Sequence, residues 1–578
     1  ISWGLTGSFR TLRRALARDR LGADATERLY PRIMDHETPI IREGEASFAE
    51  SSGDAAVPDP EMVDWLASFE SEPGIGSNSW VVSGEHTESG DPIVANDPHL
   101  QLTVPPVWYE QHVVGPEFDS RGVAFPGVPF VVIGQNHAGA WGFTNAGADA
   151  IDFYSYDTVD DGAGYEYGDG VRQFGVRDET IEVAGGENVD ITVKRSVHGA
   201  VLSQYPNGDE FETADELGVA WTGLSATRTV EAVRELNLSD GVSEAEAAIR
   251  KFDEPTQNFV YADESGNTYF WVTGQIPIRT IDGEEVRGTR IFDGSAMEGE
   301  WGDGYEPYGE SSWDGFVPFE EKPGVRNPDY LATANQRITN DPEHYLSEGY
   351  APPFRGQRIY DRLDARAESD EPMDAAFNRD LQTDVVDGRY DRFRPIIAEV
   401  VEAGGGGGDD LDAPNADSLL EWDGAMRPDR AEPLLFDQWL RTFRDLTFID
   451  EFSDAELPVG FAEPNDWVLG TLPADSEWFD GDRTAVAAEA MGLARARIDD
   501  EGWETYGDWN RVRFTHPFDQ SFLNYEQIPT AGSGGTVRNF HSESSTGASW
   551  RMVTTFDDDS QAVLPGGNSG DYFSEHYD

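Results

Sequence analysis

The Gly76–Ser77 bond is where this sequence offers its most specific chemistry. In Gly74-Ile-Gly-Ser-Asn-Ser-Trp-Val-Val-Ser-Gly84, an acidic loop bearing Pro and Gly gives way to an apolar, β-branched run. If the chain cuts itself at that bond, Ser77 becomes a new N-terminus with a hydroxyl nucleophile and an amine base on one residue. An α-amine has an ordinary pKa of about 7.7–8.0, so it can take the hydroxyl proton near neutral pH. The plain alternative is a Gly-Ser turn leading into a strand, and these few residues alone favour it.

Other chemistries find little support. The sequence has no G-x-S-x-G, no Walker A loop and no H-E-x-x-H. Gly567-Asn-Ser-Gly570 reads as a tight turn rather than a serine-protease loop. His36, His112, His137, His198, His344, His516, His541 and His576 show no metal-binding spacing and read as structural or surface residues. Without cysteine there is no disulfide, thiolate metal site or cysteine nucleophile.

The 578 residues carry a formal net charge of -68, and Lys194, Lys251 and Lys322 are the only lysines. Such a surface repels nucleic acid and anionic membranes. Yet 38% hydrophobic and 12% aromatic residues exclude a disordered acidic tail. The acids are dispersed, as in Asp54, Asp59, Glu61 and Asp64, which is the pattern expected of a protein adapted to molar salt. There the Debye length falls to about 3 Å and self-repulsion is screened. A cationic partner is the alternative, and it would require a focused acidic patch. No run of 18 apolar residues exists, so no membrane-spanning helix is expected.

The elements that must position Ser77 follow from periodicity. Residues 8–30 read as helical, with Phe9, Leu12, Leu16 and Leu21 as an apolar stripe and Ser8 as a cap. A short second helix from Asp24 to Tyr30 stops at Pro31. Residues 42–60 are polar and acidic and read as a linker. After Ser77, Trp80–Val82, Ile93–Ala95, Val107–Val114, Val128–Ile133 and Ala140–Thr144 read as short strands. More strands are expected at Thr180–Val183, Val189–Val193 and Ala200–Leu202, and a hairpin from Asn258–Ala262 and Thr268–Gly274. Helices are expected at Glu231–Leu236, Ser243–Phe252, through most of 355–450, and at 484–498. Gly404–Gly408 reads as a surface loop, and Ser549–Thr555 returns to strand. This is an α+β pattern.

Several fragments stand in a fixed order: Ser77-Asn-Ser-Trp80, Asn96-Asp-Pro-His-Leu100, Phe125-Pro-Gly-Val-Pro129, Gly134-Gln-Asn136, Trp141-Gly-Phe-Thr-Asn145 and Asp149-Ala-Ile-Asp152. Gln257-Asn-Phe259, Ala332-Thr-Ala-Asn-Gln-Arg337 and Arg355-Gly-Gln-Arg358 follow. The ordered series resembles the penicillin acylase (penicillin amidase) family of N-terminal nucleophile hydrolases, from about Ser8 to the last residue. The resemblance implies an αββα sandwich and a precursor that cuts itself before the serine of an S-N-x-W motif into two chains that stay together. Residues 1–41 would then be the C-terminal part of the small chain and 42–76 a spacer. Residues 77–578 would be the large chain, with a helix-rich insertion at about 355–500. Both ends look like interior family sequence, so a fragment or truncated gene is expected.

Position by position, the resemblance makes Ser77 the nucleophile and Gly76 the other side of the cut. His99 would help position the attacked group, and Asn145 would offer its backbone N–H to the oxyanion. Asn335 would supply the second oxyanion donor from its side chain, and Arg358 would orient the site. The plain readings are a turn histidine for His99, a capping asparagine for Asn335 and a surface helix arginine for Arg358. Asp149, the Ile151 carbonyl and Asp152 match calcium ligands, two carboxylates and a carbonyl suiting a hard cation. The plain alternative is an acidic turn. A later aspartate ligand has no clear counterpart, Asp341 and Glu348 being the nearest acids, and the ligand from the upstream chain is unassigned.

Leu100, Val132, Ile133 and Phe143 would line the acyl pocket. Aliphatic side chains at Leu100 and Ile133 and a bulky one at Phe143 argue for an aliphatic acyl amide rather than simply penicillin G. The resemblance thus implies an amide hydrolase for small acyl amides, in an extracellular or cell-envelope, high-salt setting. An acyl-homoserine-lactone acylase is the first alternative, and an inactive calcium-binding scaffold of the same fold the second.

Overall fold

A computed structural model describes residues 9–34, 37–44, 57–70, 74–202, 216–369, 371–404, 415–458, 461, 464–518, 520–557 and 559–577. Fourteen strands build its two stacked sheets. They are β1 (Gly76–Val82), β2 (Ile93–Gln101), β3 (Tyr109–Gly115), β4 (Phe118–Ala124), β5 (Ile133–Asn136), β6 (Gly139–Asn145) and β7 (Gln257–Asp263). The chain continues with β8 (Thr268–Thr273), β9 (Gly324–Arg326), β10 (Tyr330–Thr333), β11 (Phe540–His541), β12 (Thr546–Ala548), β13 (Arg551–Thr554) and β14 (Gln561–Val563).

The first sheet runs β10-β1-β2-β12-β11, with β13 on β2 and β14 on β13; the second runs β9-β8-β7-β6-β5-β4-β3. All these pairings are antiparallel. β1 is buried along its whole length, so both of its faces are occupied. Alternation sends Trp80 and Val82 to one face, where they join Ile359, Tyr360, Leu363 and Leu381. Those side chains come from helices α6 (Phe354–Ala367) and α7 (Ala375–Gln382), counting α1 (Arg10–Leu21), α2 (Ala23–Leu29), α3 (Pro60–Ala67), α4 (Thr229–Leu238) and α5 (Val242–Ile249) before them. Val81 faces the other way and joins the core that also holds Val233, Leu236, Ala248 and Ile249 of α4 and α5. The order is therefore helix, sheet, sheet, helix.

The two sheets approach closely at Gly142. A Cβ there would lie 2.8 Å from the Asn96 side chain, so only glycine fits. Asn96 Nδ2 donates to Phe143 O at 3.0 Å, and the Thr144 and Thr333 hydroxyls meet at 2.9 Å. A separate six-stranded sheet carries Ile151–Ser155 between Leu217–Trp221 and Phe292–Asp293. Helices α8 (Gly388–Glu402), α9 (Glu432–Asp454) and α10 (Arg483–Glu501) form a further apolar body. Phe9, Leu12, Leu16 and Leu29 of the N-terminal helices are buried in that same body.

Three expectations shift. The strand expected at Val128–Ile133 is displaced to β5, with β4 preceding it, because Pro126, Gly127 (φ +93°) and Pro129 form a turn instead. The 42–76 segment expected to be a spacer contains α3, with Pro60 opening the helix and Asp59 Oδ1 accepting from Glu61 N (2.8 Å) and Met62 N (3.3 Å). Met62, Val63 and Leu66 bury its apolar face against the N-terminal helices. The second helix comes one residue early, at Ala23–Leu29. Ser8 and residues 405–408 of the glycine run lie outside the described residues.

Candidate active site

Ser77 lies near the start of β1, with Gly76 paired across to His99 and Ser77 to Pro98. In the continuous chain the Ser77 hydroxyl donates to Gly76 O at 2.5 Å, so the nucleophile sits against the peptide group it would attack. The Ser77 N–H donates to Asn335 Oδ1 at 2.7 Å. Asn335 Nδ2 in turn donates to Asn145 O at 3.0 Å. A carboxamide nitrogen has two hydrogens, so one remains for an oxygen bearing charge. Asn335 follows β10 and has φ +65°, a left-handed conformation that asparagine tolerates better than most residues. Serine, asparagine carboxamide and the Asn145 end of β6 thus lie together, the observed contact being to the Asn145 carbonyl.

The arginine is a different one. Arg358 turns away and binds Asp384 Oδ2 through Nε (3.2 Å) and Nη2 (2.7 Å). Arg355, one turn earlier on α6, lies under β1 instead. Its Nη2 donates to Asn335 Oδ1 at 3.1 Å, and its Nη1 to Ser77 O at 3.2 Å and Asn78 Oδ1 at 2.7 Å. Burial lowers its pKa to about 10, which leaves it charged at neutral pH. A Cβ at Gly76 would sit 2.9 Å from Asn335 Oδ1 and 3.0 Å from Arg355 Nη2, which accounts for glycine before the serine.

His99 is fully buried one position across the sheet from Ser77. Its ring does not bond the serine hydroxyl. Asn539 Nδ2 donates to its Nδ1 at 3.3 Å, and its Nε2 lies 3.2 Å from Asp97 Oδ2. Burial lowers the His99 pKa against the pull of Asp97, so the imidazole is neutral. Asp97 itself stays ionised: burial opposes this, but Arg551 and His99 outweigh it. Asn539 also donates to Gly74 O at 2.9 Å and accepts from His541 Nε2 at 3.1 Å. His541 packs so closely on Gly74 that a Cβ there would lie 2.2 Å from its ring, and burial lowers its pKa to about 3. Sequence reading passed over Asn539 and treated His541 as structural; neither lies in a recognisable fragment.

Leu100, Val132, Ile133 and Phe143 belong to, or pack on, one buried cluster. Phe143 stacks on Phe252 at 5.2 Å and tilts against Phe259 at 5.3 Å. Its ring is core material on the helix side of β6. A cavity of about 340 Å³ lies elsewhere, lined by Arg10, Tyr30, Met34, Asp149, Tyr345 and Tyr350 among others.

The expected calcium ligands face an arginine. Arg279 Nε donates to Asp152 Oδ2 at 2.6 Å and Nη2 to Asp149 O at 2.8 Å. Nη2 also lies 3.6 Å from Asp149 Oδ1. Ile151 is built into a strand beside Leu217–Trp221. A guanidinium this close to both acids does not fit a calcium ion that needs six to eight oxygens at about 2.3–2.6 Å. Among the described residues, no helix is long and apolar enough to cross a membrane.

A family model described as penicillin amidase matches residues 1–578. The chain is 27% identical over 541 residues to penicillin acylase 2 proenzyme of Pseudomonas sp. (strain SE83), covering 87% of this chain and 65% of that protein. It is 25% identical over 500 residues to the acyl-homoserine lactone acylase QuiP of Pseudomonas fluorescens (strain Pf0-1), covering 79% of this chain and 57% of that one. It therefore spans somewhat under two thirds of the length of these relatives. Among solved structures, a thermostable penicillin G acylase from Alcaligenes faecalis matches with a TM-score of 0.64 at 19% identity, covering 86% of this chain and 93% of that chain. That likeness concerns the fold.

Proposed function

The chain belongs to the penicillin amidase family, and from that premise we propose that it is a self-cleaving amidohydrolase of linear N-acyl amides. The observation that carries this reading is the contact pair at Ser77, hydroxyl on Gly76 O and N–H on Asn335 Oδ1. In the maturation step the hydroxyl adds to the Gly76 carbonyl carbon, the Gly76–Ser77 C–N bond breaks, and water then hydrolyses the ester. This frees the Ser77 amine and leaves two chains, 1–76 and 77–578, that remain associated.

In turnover that amine takes the hydroxyl proton while Oγ attacks the substrate carbonyl. The second Asn335 Nδ2 hydrogen and the Asn145 N–H receive the developing charge, the amine product leaves, and water releases the acid. Arg355 holds the Asn335 carboxamide in place. Leu100, Val132 and Ile133 favour an aliphatic acyl group, in line with relatives named as acyl-homoserine lactone acylases.

Intact-mass measurement on protein folded in high salt tests the reading. Two fragments meeting at Gly76/Ser77 are expected, with Ser77→Ala remaining whole and inactive. A wild-type chain that stays whole would instead favour a non-catalytic scaffold. A panel of phenylacetyl and straight-chain acyl amides, acyl-homoserine lactones included, then ranks the acyl group.

A further inference from the structure

We propose that Arg279 is a resident cation that takes the place of a metal ion between Asp149 and Asp152, making this fold independent of calcium. Arg279 is almost completely buried. Every guanidinium nitrogen is committed: Nε to Asp152 Oδ2 (2.6 Å), Nη1 to Pro277 O (3.2 Å) and Nη2 to Asp149 O (2.8 Å). The two carboxylates are also engaged from outside. Trp301 Nε1 donates to Asp152 Oδ2, and Tyr345 O–H donates to Asp149 Oδ2 at 3.0 Å. Asp152 Oδ1 is buried without a hydrogen-bond partner, and Asp149 Oδ1 meets the guanidinium only at 3.6 Å. Those two oxygens, with a guanidinium already between the acids, are far short of a calcium shell.

The surrounding chain is shaped to this guanidinium. A Cβ at Gly288 would lie 2.7 Å from Arg279 and 2.5 Å from Asp149 Oδ2, so glycine is required where the loop crosses over the pair. The Tyr345 ring centroid lies 5.5 Å from the guanidinium carbon. Arg279 comes from the short hairpin of Arg279–Ile281 and Glu284–Val286, and Asp152 from the strand Ile151–Ser155. The ion pair therefore joins elements far apart in sequence, the service a structural cation would perform. A point charge on a metal needs its ligands from several loops at once. A planar fork with fixed donors is filled here by one carboxylate and two carbonyls, with the second carboxylate close by.

The test reads folding rather than turnover, so it is independent of whether Ser77 cuts the chain. Melting of the wild-type protein in high salt is followed with excess chelator and with added calcium, and calcium content is measured after dialysis. An unchanged midpoint and no stoichiometric calcium are expected. Arg279→Ala should lower the midpoint by several degrees in chelator, because buried Asp152 and half-buried Asp149 lose their counter-charge. Calcium should restore part of that loss, and Asp152→Asn in the same background should abolish the rescue, separating this site from acids on the surface. If Arg279→Ala does not fold, Arg279→Lys supplies the comparison, with a smaller drop expected. A wild-type midpoint that rises with calcium, or one equivalent of calcium retained, overturns the proposal, as does an Arg279→Ala midpoint equal to the wild type.

Discussion

Asn335 serves two neighbours at once, accepting from Ser77 N–H and donating to Asn145 O. Replacing it by alanine removes a preset donor and the anchor of the serine nitrogen together. Asn335→Ala should lower kcat by about 10²–10³-fold, measured on protein that has already matured. Arg355 acts through that carboxamide and through Asn78, so it is a positioning residue. Arg355→Ala should slow both scission and kcat by at least about tenfold with little change in KM, whereas Arg358→Ala should leave both near wild type. Equal effects of the two would show that proximity to Ser77 is not what matters. The sequence presents both arginines in one Arg-Gly-Gln-Arg fragment, and only packing separates them. Gly356 lies against Gln336, where a Cβ would approach within 2.7 Å, and that contact fixes which turn of α6 faces β1. Ser77 and Asn335 were legible because their neighbours form recognisable strings. Arg279 was not, because it reaches Asp152 from a hairpin 127 positions further along the chain.

At the scale of elements, His344 joins two segments through its ring nitrogens. Nδ1 lies 3.0 Å from Glu285 Oε2 on the Glu284–Val286 strand, and Nε2 lies 2.8 Å from Glu321 Oε2 on the short turn of helix Phe319–Glu321. Burial disfavours the charged ring, but the two carboxylates outweigh it and raise the His344 pKa. A raised folded pKa stabilises below the ordinary value of about 6.5 and loses that contribution as pH climbs through the folded one. His344→Gln should therefore lower the melting midpoint most near about pH 5.5 and least near about pH 9. A deficit that grows with pH would reverse the sign and exclude the clip. Strands and helices around Ser77 were largely readable from alternation. α3 was missed because an acidic, Pro-bearing stretch resembles a linker until Asp59 and Pro60 are recognised as helix-opening residues.

For the molecule as a whole, the net charge of -68 sets the conditions under which these contacts form. Many of the carboxylates in ion pairs are half exposed, such as Glu27, Asp364 and Glu231, and each such pair contributes little by itself. Uncompensated repulsion should dominate at low ionic strength. The melting midpoint should climb steadily from about 0.15 M to about 3 M potassium chloride, and circular dichroism melts would check this. A midpoint that is flat or falls with salt would leave the acidic surface to be explained by a cationic partner.

If the chain is cut at Gly76–Ser77 as proposed, the docked helix α3 has a consequence for the product. Glu70, just beyond it, accepts from Phe9 N at 2.7 Å and pairs with Arg13, so the first fragment stays moored close to its own cut end. A tail finishing at Gly76 is thereby kept on a short leash beside Asn335, Arg355 and His541. Tethering converts a weak product-like peptide into a competitor at an effective concentration on the order of millimolar. Scission alone would thus leave the enzyme occupied by its own loose end, and trimming the leash would be the step that switches it on.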